Sequence, residues 1–569
     1  MAVSEVCVLT TDVLVIGAGA AGCRAAIEAA DRGAQVTLLI KGRLGRAGSS
    51  FYPLTQGLGF TTALPGGPEE TAGVEAHYRE IMAAGAGMAS PTLARILAED
   101  APRRFLELVE RFHLRFNTDE SGTILYIRPD YGSGAVRAGG ASIAALQATF
   151  SREVRRRSVQ LVEHAAAVRL LGDAAGCRGC VAATRAGELI VIGAGATVLA
   201  TGGYAGLFEH HMTTAGQLGD GYALALNLGA ELVNLEYYQM ILGLTAPVRG
   251  MIIPESALQS LPALTNGQGE AFLAGYLPAG LSPDACMLER AATGPFHSEG
   301  DAKYFDLALF GEMVAGRALP SGGLRCDFTG RRPDELRGLR RDWLEWALGR
   351  GLDLREKPVE IAPHVHADNG GVLINGDGAT CVPGLFACGE AAGGPHGANR
   401  IGGNMMSNTQ VFGARAGAAA AGYAKRASRP APTAADAAPE RERLREMGRR
   451  ADGPAPRQIL ARVQATLYRE MAVSKDAASL KRALETLDEV EREMLPALRP
   501  APGQLSLALG LPLALQTARL VARSALLRQE SRGGHYRSDF PAGDDARFGR
   551  PFVWRLGAGG PEVSERALA

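Results

Sequence analysis

The chain has 569 residues, with 60 Lys and Arg against 60 Asp and Glu and zero formal charge. That length exceeds a single hydrophobic core and predicts about two to four domains. Balanced charge excludes a sequence-independent nucleic-acid binder, which needs a basic excess to displace counterions.

Cys7, Cys23, Cys177, Cys180, Cys286, Cys326, Cys381 and Cys388 are scattered rather than arrayed. They predict reduced thiols, no metal site, no iron–sulfur cluster of the chain's own, and a cytoplasmic location. The opening Met-Ala-Val-Ser-Glu-Val-Cys-Val-Leu-Thr-Thr-Asp has no basic segment of an export signal.

In chain order, the apolar run Val13 to Ile16 predicts a strand covered on both faces. Gly17 to Gly22 and an Ala-rich helix to about Arg32 follow, with Gly33 as the C-terminal glycine and Val36 to Ile40 as the next strand. Segments 160–171 and 178–200 read as short strands around a Gly-rich turn at 172–179. Leu189 to Phe208 carries no charge over a length that nominally spans a bilayer, but its glycines and its Ala-Thr-Gly-Gly ending predict a buried strand and turn. Leu224 to Leu232 has a helical pattern.

From about 237 to 360 the alternation of strand and helix stops, as in an inserted cap. Strands are expected again near Val372–Ile374 and Leu385–Ala387, then a helix from about Asn408 to Lys425. Ala427 to Pro439 has linker composition, and beyond it Leu480, Leu484 and Leu487 are spaced as one buried helix face. The expected fold is α/β: a Rossmann-like dinucleotide-binding domain (1–236 and 361–426), an inserted α+β capping domain (237–360), a linker (427–439) and a C-terminal helical domain with a tail (440–569).

Gly17, Gly19 and Gly22 form G-x-G-x-x-G in its required strand-to-helix setting. The first allows a tight turn, the second admits a pyrophosphate, and the helix N-terminus, with Ala20 and Ala21, faces its charge. Where the general rule expects an acid for the ribose, the chain has Lys41 followed by Gly42. Cys177-Arg-Gly-Cys180 has no second pair or histidine cluster to complete a metal set, and reads as a hairpin entering a strand.

Four blocks occur in one order from end to end: Asp-Val-Leu-Val-Ile-Gly-Ala-Gly-Ala-Ala-Gly at 12–22, Ala-Cys-Gly-Glu-Ala at 387–391, Pro-His-Gly-Ala-Asn-Arg-Ile-Gly-Gly-Asn at 395–404, and Glu-Ser-Arg-Gly-Gly-His-Tyr-Arg at 530–537. Together they resemble the flavoprotein subunits of fumarate reductase, succinate dehydrogenase and L-aspartate oxidase. The resemblance implies FAD, with Lys41 a residue type that family often has there. It assigns further cofactor contacts to Ser49, Ser50, Gln56, Gly57, Ala200, Thr201, Gly202, Asp220, Glu390, Asn404, Met405 and Met406. In succinate dehydrogenases a His tethers the flavin covalently. The matching position is Gly48, so the resemblance implies dissociable FAD.

The resemblance also implies two carboxylate clamps. His366 in His-Ala-Asp-Asn-Gly-Gly and Arg400 match the first. The second is replaced: the family's Gln-Phe-His-Pro-Thr matches Gln239-Met240-Ile241-Leu242-Gly243, and its Thr-Glu-x-x-Arg matches Pro254-Glu255-Ser256-Ala257-Leu258. Glu255 survives, and Arg290 is the best match to the acid–base Arg, with Arg249 and Arg325 as alternatives.

The expected reaction is hydride exchange between flavin and a carbon of a small anionic substrate, by C=C reduction or CH–CH dehydrogenation. An apolar second wall implies a monocarboxylate. The other readings are aspartate oxidase-like amine oxidation, adenylylsulfate reductase-like sulfur chemistry, and an electron-transfer role beside a ferredoxin-like iron–sulfur subunit. A direct membrane span is not expected, and the reading leaves room for an oligomer.

Overall fold

The computed structural model describes residues 6–65, 70–129, 132, 136–427 and 431–568. The first five residues of the opening segment and positions 428–430 of the expected linker lie outside them.

The central sheet is built on Cys7–Ile16, flanked by Val36–Ile40 on one side and Leu189–Leu199 on the other, both parallel to it. Gln160–Glu163 extends the first edge, and Gly176–Thr184 and Ala165–Asp173 extend the second as an antiparallel meander. Leu385–Ala387 returns from late in the chain to pair with Leu189–Leu199, through Leu385 opposite Thr197. Val13, Leu14 and Val15 have no exposed surface, as strands covered by helices on both faces require. The helices Ala20–Asp31 and Asn404–Ala424 pack against each other, and Gly413 and Gly417 let them meet: a Cβ on Gly417 would stand 2.3 Å from the Ala25 carbonyl oxygen.

The uncharged stretch from Leu189 is strand Leu189–Leu199 followed by the short turn Ala205–Leu207, as its glycines suggest. Cys177 and Cys180 lie on one strand, buried and free, where burial pushes both thiols up. The helix expected over Leu224–Leu232 lies earlier, at Asp220–Asn227. Leu232–Val233 is a strand pairing with Gly371–Leu373 and, on its other edge, Phe552–Gly557. The hairpin Phe552–Gly557 and Gly560–Glu565 thus threads the tail back into the dinucleotide-binding part, which helical periodicity could not reveal.

Within the segment of linker composition, Ala434–Ala437 is a 3-10 turn continuing into helix Ala438–Arg449, and Arg169 pairs with Glu440 at 2.7 Å. Among the described residues 431–439, Ala437 is buried and most of the others are exposed. Leu505–Leu527 is long and apolar enough to cross a membrane by length and composition, but 67% of its apolar window is buried. It packs against Ala477–Glu489, Pro456–Met471 and Asp220–Asn227.

The inserted cap stands on an antiparallel pair, Tyr238–Ala246 with Val359–Asp368, widened by Leu324–Asp327 and Ala263–Thr265. It has a core of its own, in which Leu244, Leu258, Phe305, Trp343 and Ile361 are buried. The two strands that carry the chain in and out of the cap therefore also bring Ile241 opposite His364 and Gln239 opposite Ala367.

The Glu-Ser-Arg-Gly block braces this root from behind. Gly533, at φ +53°, and Gly534 touch the Ala398 and Tyr238 backbones, where a Cβ would come within 2.5 and 2.3 Å of the two carbonyl oxygens. Beside it, Lys475 is buried between the Val473 and Tyr536 carbonyls. Burial, and then Arg537, lower its pKa to about 7. A lysine depressed in the folded state makes stability rise with pH between that value and the ordinary 10.5, because the unfolded chain binds the extra proton. Lys475→Met is expected to flatten the rise in melting temperature across this window, as thermal unfolding at a series of pH values will report.

Candidate active site

A cavity of about 980 Å³ runs from the first strand–helix turn to the underside of the cap. Gly17, at φ +105°, makes the turn; a Cβ there would lie 2.2 Å from the Ala200 carbonyl oxygen. Gly17, Gly19, Ala20 and Ala21 line the cavity, with the N-terminus of Ala20–Asp31 facing it. Gly22 does not line it; it presses on Gly17, whose carbonyl oxygen a Cβ would meet at 1.9 Å, so its part is to close the turn.

Lys41 and Gly42 line the same end. Lys41 reaches Asp220 at 2.9 Å and donates to the Gly216 carbonyl at 2.7 Å, so the cation replacing the usual acid is itself tied to an acid on the next wall. Gly48, Ser49 and Ser50 form one side. Gly48 has φ +97° and its N–H donates to the Thr214 hydroxyl at 3.1 Å. Ser49 donates to Gln217 at 2.5 Å. Ala200, Thr201, Gly202, Glu390, Met405 and Met406 complete the lining.

Three further expected contacts, besides Gly22, fall outside the lining. Gln56 and Gly57 give way to their neighbours Thr55, Leu58 and Gly59, because Gly57 begins a strand whose pairing fixes it against Ala141 and Ser142. Asn404 bonds His77 at 2.8 Å behind the helix start.

At the far end Arg400 and His366 line the cavity together. Arg400 Nε donates to the Gln239 side-chain oxygen at 2.9 Å and one terminal nitrogen donates to the Ile401 carbonyl at 3.0 Å. Gln239 has no exposed surface, and its amide donates back to the Arg400 carbonyl at 2.9 Å, so the plane of the guanidinium is set. Burial, and then Arg400, lower the His366 pKa to about 3. The ring is neutral, and its Nδ1 is buried without a partner. An orphaned ring nitrogen beside a guanidinium suits an anion that supplies the missing acceptor.

Ile241, Ile252, Ile253 and Pro254, with Met212, supply an aliphatic part of the lining beneath the cap. Leu258 does not reach the cavity but belongs to the cap core. The structure corrects the placement of Arg290. It has no exposed surface and does not line the cavity; its Nε contacts Asp306 at 2.6 Å, one terminal nitrogen contacts Glu255 at 2.8 Å, and the other donates to the Gly294 carbonyl. Burial opposes its charge, but Asp306 and Glu255 outweigh burial and raise its pKa. Glu255 is the member of this triad that lines the cavity. Arg249 and Arg325 are both exposed on the surface.

Three residues of consequence were not singled out from sequence. Gln239 orients Arg400; Gln217 contacts Ser49 and, at 3.5 Å, Glu390; and Asp368 lies buried against Glu390. Asp368 had a signal, since it falls two residues after His366 on one strand and so shares its face.

A glycine-turn cradle, a buried orphaned Thr201 hydroxyl and a cavity running on to a cation and a neutral imidazole define a flavin-dependent oxidoreductase. Residues 12–406 match the FAD binding domain family and residues 460–568 match the family described as fumarate reductase flavoprotein C-term. The chain is 33% identical over 550 residues to a fumarate reductase (CoM/CoB) subunit of Methanothermobacter marburgensis, covering 93% of this chain and 94% of that one. It is 31% identical over 553 residues to L-aspartate oxidase of Caulobacter vibrioides, covering 93% and 94%. Sdh1 of Mycobacterium smegmatis in complex with UQ1 superimposes with a TM-score of 0.85 at 27% identity, covering 99% of this chain and 95% of that one. The chain belongs to the fumarate reductase, succinate dehydrogenase and L-aspartate oxidase flavoprotein family, and FAD is its cofactor.

Gly48 offers no side chain for a covalent tether, so acid precipitation of the holoprotein is expected to leave the flavin in the supernatant. Gly17→Ala, strained at positive φ and driven into the Ala200 carbonyl, is expected to weaken FAD binding by about tenfold or more, corresponding to at least ~1.4 kcal/mol. Flavin fluorescence on titration of apoprotein measures it.

Proposed function

We propose that this FAD-dependent oxidoreductase acts on a small monocarboxylate, reducing an activated C=C bond or forming one by dehydrogenation. The observation that carries the reading is the make-up of the substrate end: one cation and one neutral imidazole in a lining that also holds the aliphatic Ile241, Ile252, Ile253 and Pro254.

FAD bound in the cradle supplies hydride exchange with the substrate carbon. Arg400 and His366 hold the carboxylate, the guanidinium by its planar fork and the imidazole by a ring N–H. Gln239 keeps the fork in one plane, so the carboxylate fixes the direction of the carbon chain. Ile241, Ile252, Ile253 and Pro254 receive the apolar end and exclude water. A second carboxylate placed there would be buried without donors, at a cost of roughly several kcal/mol. Glu255 stands where a proton is given to or taken from the second carbon, and Arg290, clamped between Glu255 and Asp306, holds it in position. Two carboxylates share one guanidinium in that triad, which adds a negative charge against a dianionic substrate.

The relatives named as fumarate reductase subunits support a place beside a small iron–sulfur partner as the source or sink of electrons. Aspartate oxidase-like oxidation of an amine keeps the support of the L-aspartate oxidase relatives, against the loss of donors on the second wall. The eight free cysteines support a cytoplasmic location.

Anaerobic titration of the reduced protein with a panel of enoates tests the assignment. Simple monocarboxylic enoates are expected to reoxidise the flavin, and fumarate to do so at least ~100-fold more slowly. Rapid turnover of fumarate or succinate would refute the apolar-wall reading. Arg400→Ala is expected to retain FAD and lose about 10³-fold or more in substrate-dependent turnover. Ile241→His, which returns a donor to the second wall, is expected to move the preference toward dicarboxylates.

A further inference from the structure

We propose that Asp368 and Glu390 form a carboxyl pair that holds a single proton beneath the cofactor cradle, and that FAD binding depends on this proton. Asp368 ends strand Val359–Asp368, two residues beyond His366, and has no exposed surface. Its own N–H donates to Glu390 Oε1 at 3.2 Å, so the two acids belong to neighbouring backbone segments. Gly203 lies between them: a Cβ there would stand 1.8 Å from Asp368 Oδ2 and 3.1 Å from the Glu390 carboxyl carbon. Both acids therefore press on the Thr201–Gly203 turn that lines the cavity, and Glu390 is the one that reaches it.

The surroundings do not neutralise two negative charges. Asp368 Oδ2 accepts the Tyr204 N–H, and its Oδ1 is buried without a partner. Three tyrosines approach, one from the turn, one from helix Asp220–Asn227 and one from strand Tyr238–Ala246. Tyr204 donates to the Leu235 carbonyl at 2.6 Å, Tyr222 to the Glu390 carbonyl at 3.0 Å, and Tyr238 to the Ala472 carbonyl at 3.0 Å. None of these hydroxyls is directed at the acids' carboxylate oxygens. Arg400 acts on the Glu390 side, where Gln217 also donates its amide at 3.5 Å, and His366 on the same strand is neutral.

Buried carboxyls this close retain a proton between them, since ionising both would place like charges together out of water. A proton kept on Asp368 leaves Glu390 charged and able to accept from a cofactor hydroxyl. Burial pushes both pKa values up, and Glu390 pushes Asp368 further. A carboxyl raised in the folded state contributes stability that is present at low pH and lost as pH rises through the folded value. Cofactor retention should therefore fail on the alkaline side, unlike that of an ordinary buried ion pair, which fails in acid.

The test is FAD binding to apoprotein followed by flavin fluorescence, with melting of the apoprotein in parallel, from about pH 6 to about pH 10. Wild-type affinity is expected to fall about tenfold or more across the alkaline limb. Asp368→Asn, which keeps a donor without a dissociable proton, is expected to stay within about twofold of its neutral-pH affinity. Glu390→Gln, which leaves a single acid raised by burial alone, is expected to bind FAD more weakly at every pH and to move the limb in both affinity and melting to lower pH. A flat wild-type profile would overturn the proposal. So would a limb at the same pH, with equal slope, in wild type and in whichever variant folds.

Discussion

The site depends on one guanidinium held from behind. Arg400 sits in a glycine-bounded loop where no regular element fixes it, so its direction comes from Gln239 and from the Ile401 carbonyl. Gln239 is fixed in turn because it lies on the first strand of the cap root, opposite Ala367 and one residue from His366. The loop is pressed into place by Gly533 and Gly534 of the C-terminal block, which only glycine allows at those separations. Residues from four distant parts of the chain thus converge on the orientation of one planar cation. Preorganisation of this kind matters because a cation free to swing would lose the orientation that a carboxylate clamp must impose.

Electrostatics across the cavity follow from who is paired with whom. Lys41 is neutralised by Asp220 at the dinucleotide end, and Arg290 by Asp306 and Glu255 behind the cap wall. Both cations are held in ion pairs within the protein. Arg290 is a positioning residue: its charge is consumed in the core, where removing either acid would leave a buried ion uncompensated. Glu255, in contact with both the triad and the cavity, is the group through which that core meets the cavity.

Much of the cofactor half was legible in the sequence, because its residues act locally. Gly17, Gly19 and the helix beginning at Ala20 are contiguous, and a turn, a strand and a helix terminus are set by the same short segment. At the far end of the cavity, the sequence pointed to residues that carry their own chemistry, Arg400 and His366, and the fold brings both to the lining. Helix Pro283–Thr293 turns Arg290 into the cap core, where it pairs with Glu255, a direction that spacing along the chain does not encode. Gln56 and Gly57 were displaced by a residue or two through strand pairing with Arg137–Ser142. Asp368 was overlooked because its importance arises from Glu390, 22 residues away, and from a glycine in a third segment. The tail hairpin at Phe552–Glu565 likewise has meaning only through Leu232–Val233, far from it in sequence.

The division between a fixed cradle and a variable substrate wall has a structural cause. Cradle glycines are constrained by backbone: a Cβ at Gly17, Gly22 or Gly203 would strike carbonyl or carboxyl groups at 2.2, 1.9 and 1.8 Å, distances no side-chain rearrangement relieves for the backbone pair. Ile241 and Pro254 are constrained only by side-chain packing on the cap's inner face, and the cap has a core separate from that of the cradle. Donors on that wall can be exchanged for aliphatic groups without disturbing how the dinucleotide is held. Arg400 escapes the exchange because its loop belongs to the cradle side while its side chain serves the cap side. One end of the cavity lining is therefore tied to the cradle's backbone, and the other belongs to the cap.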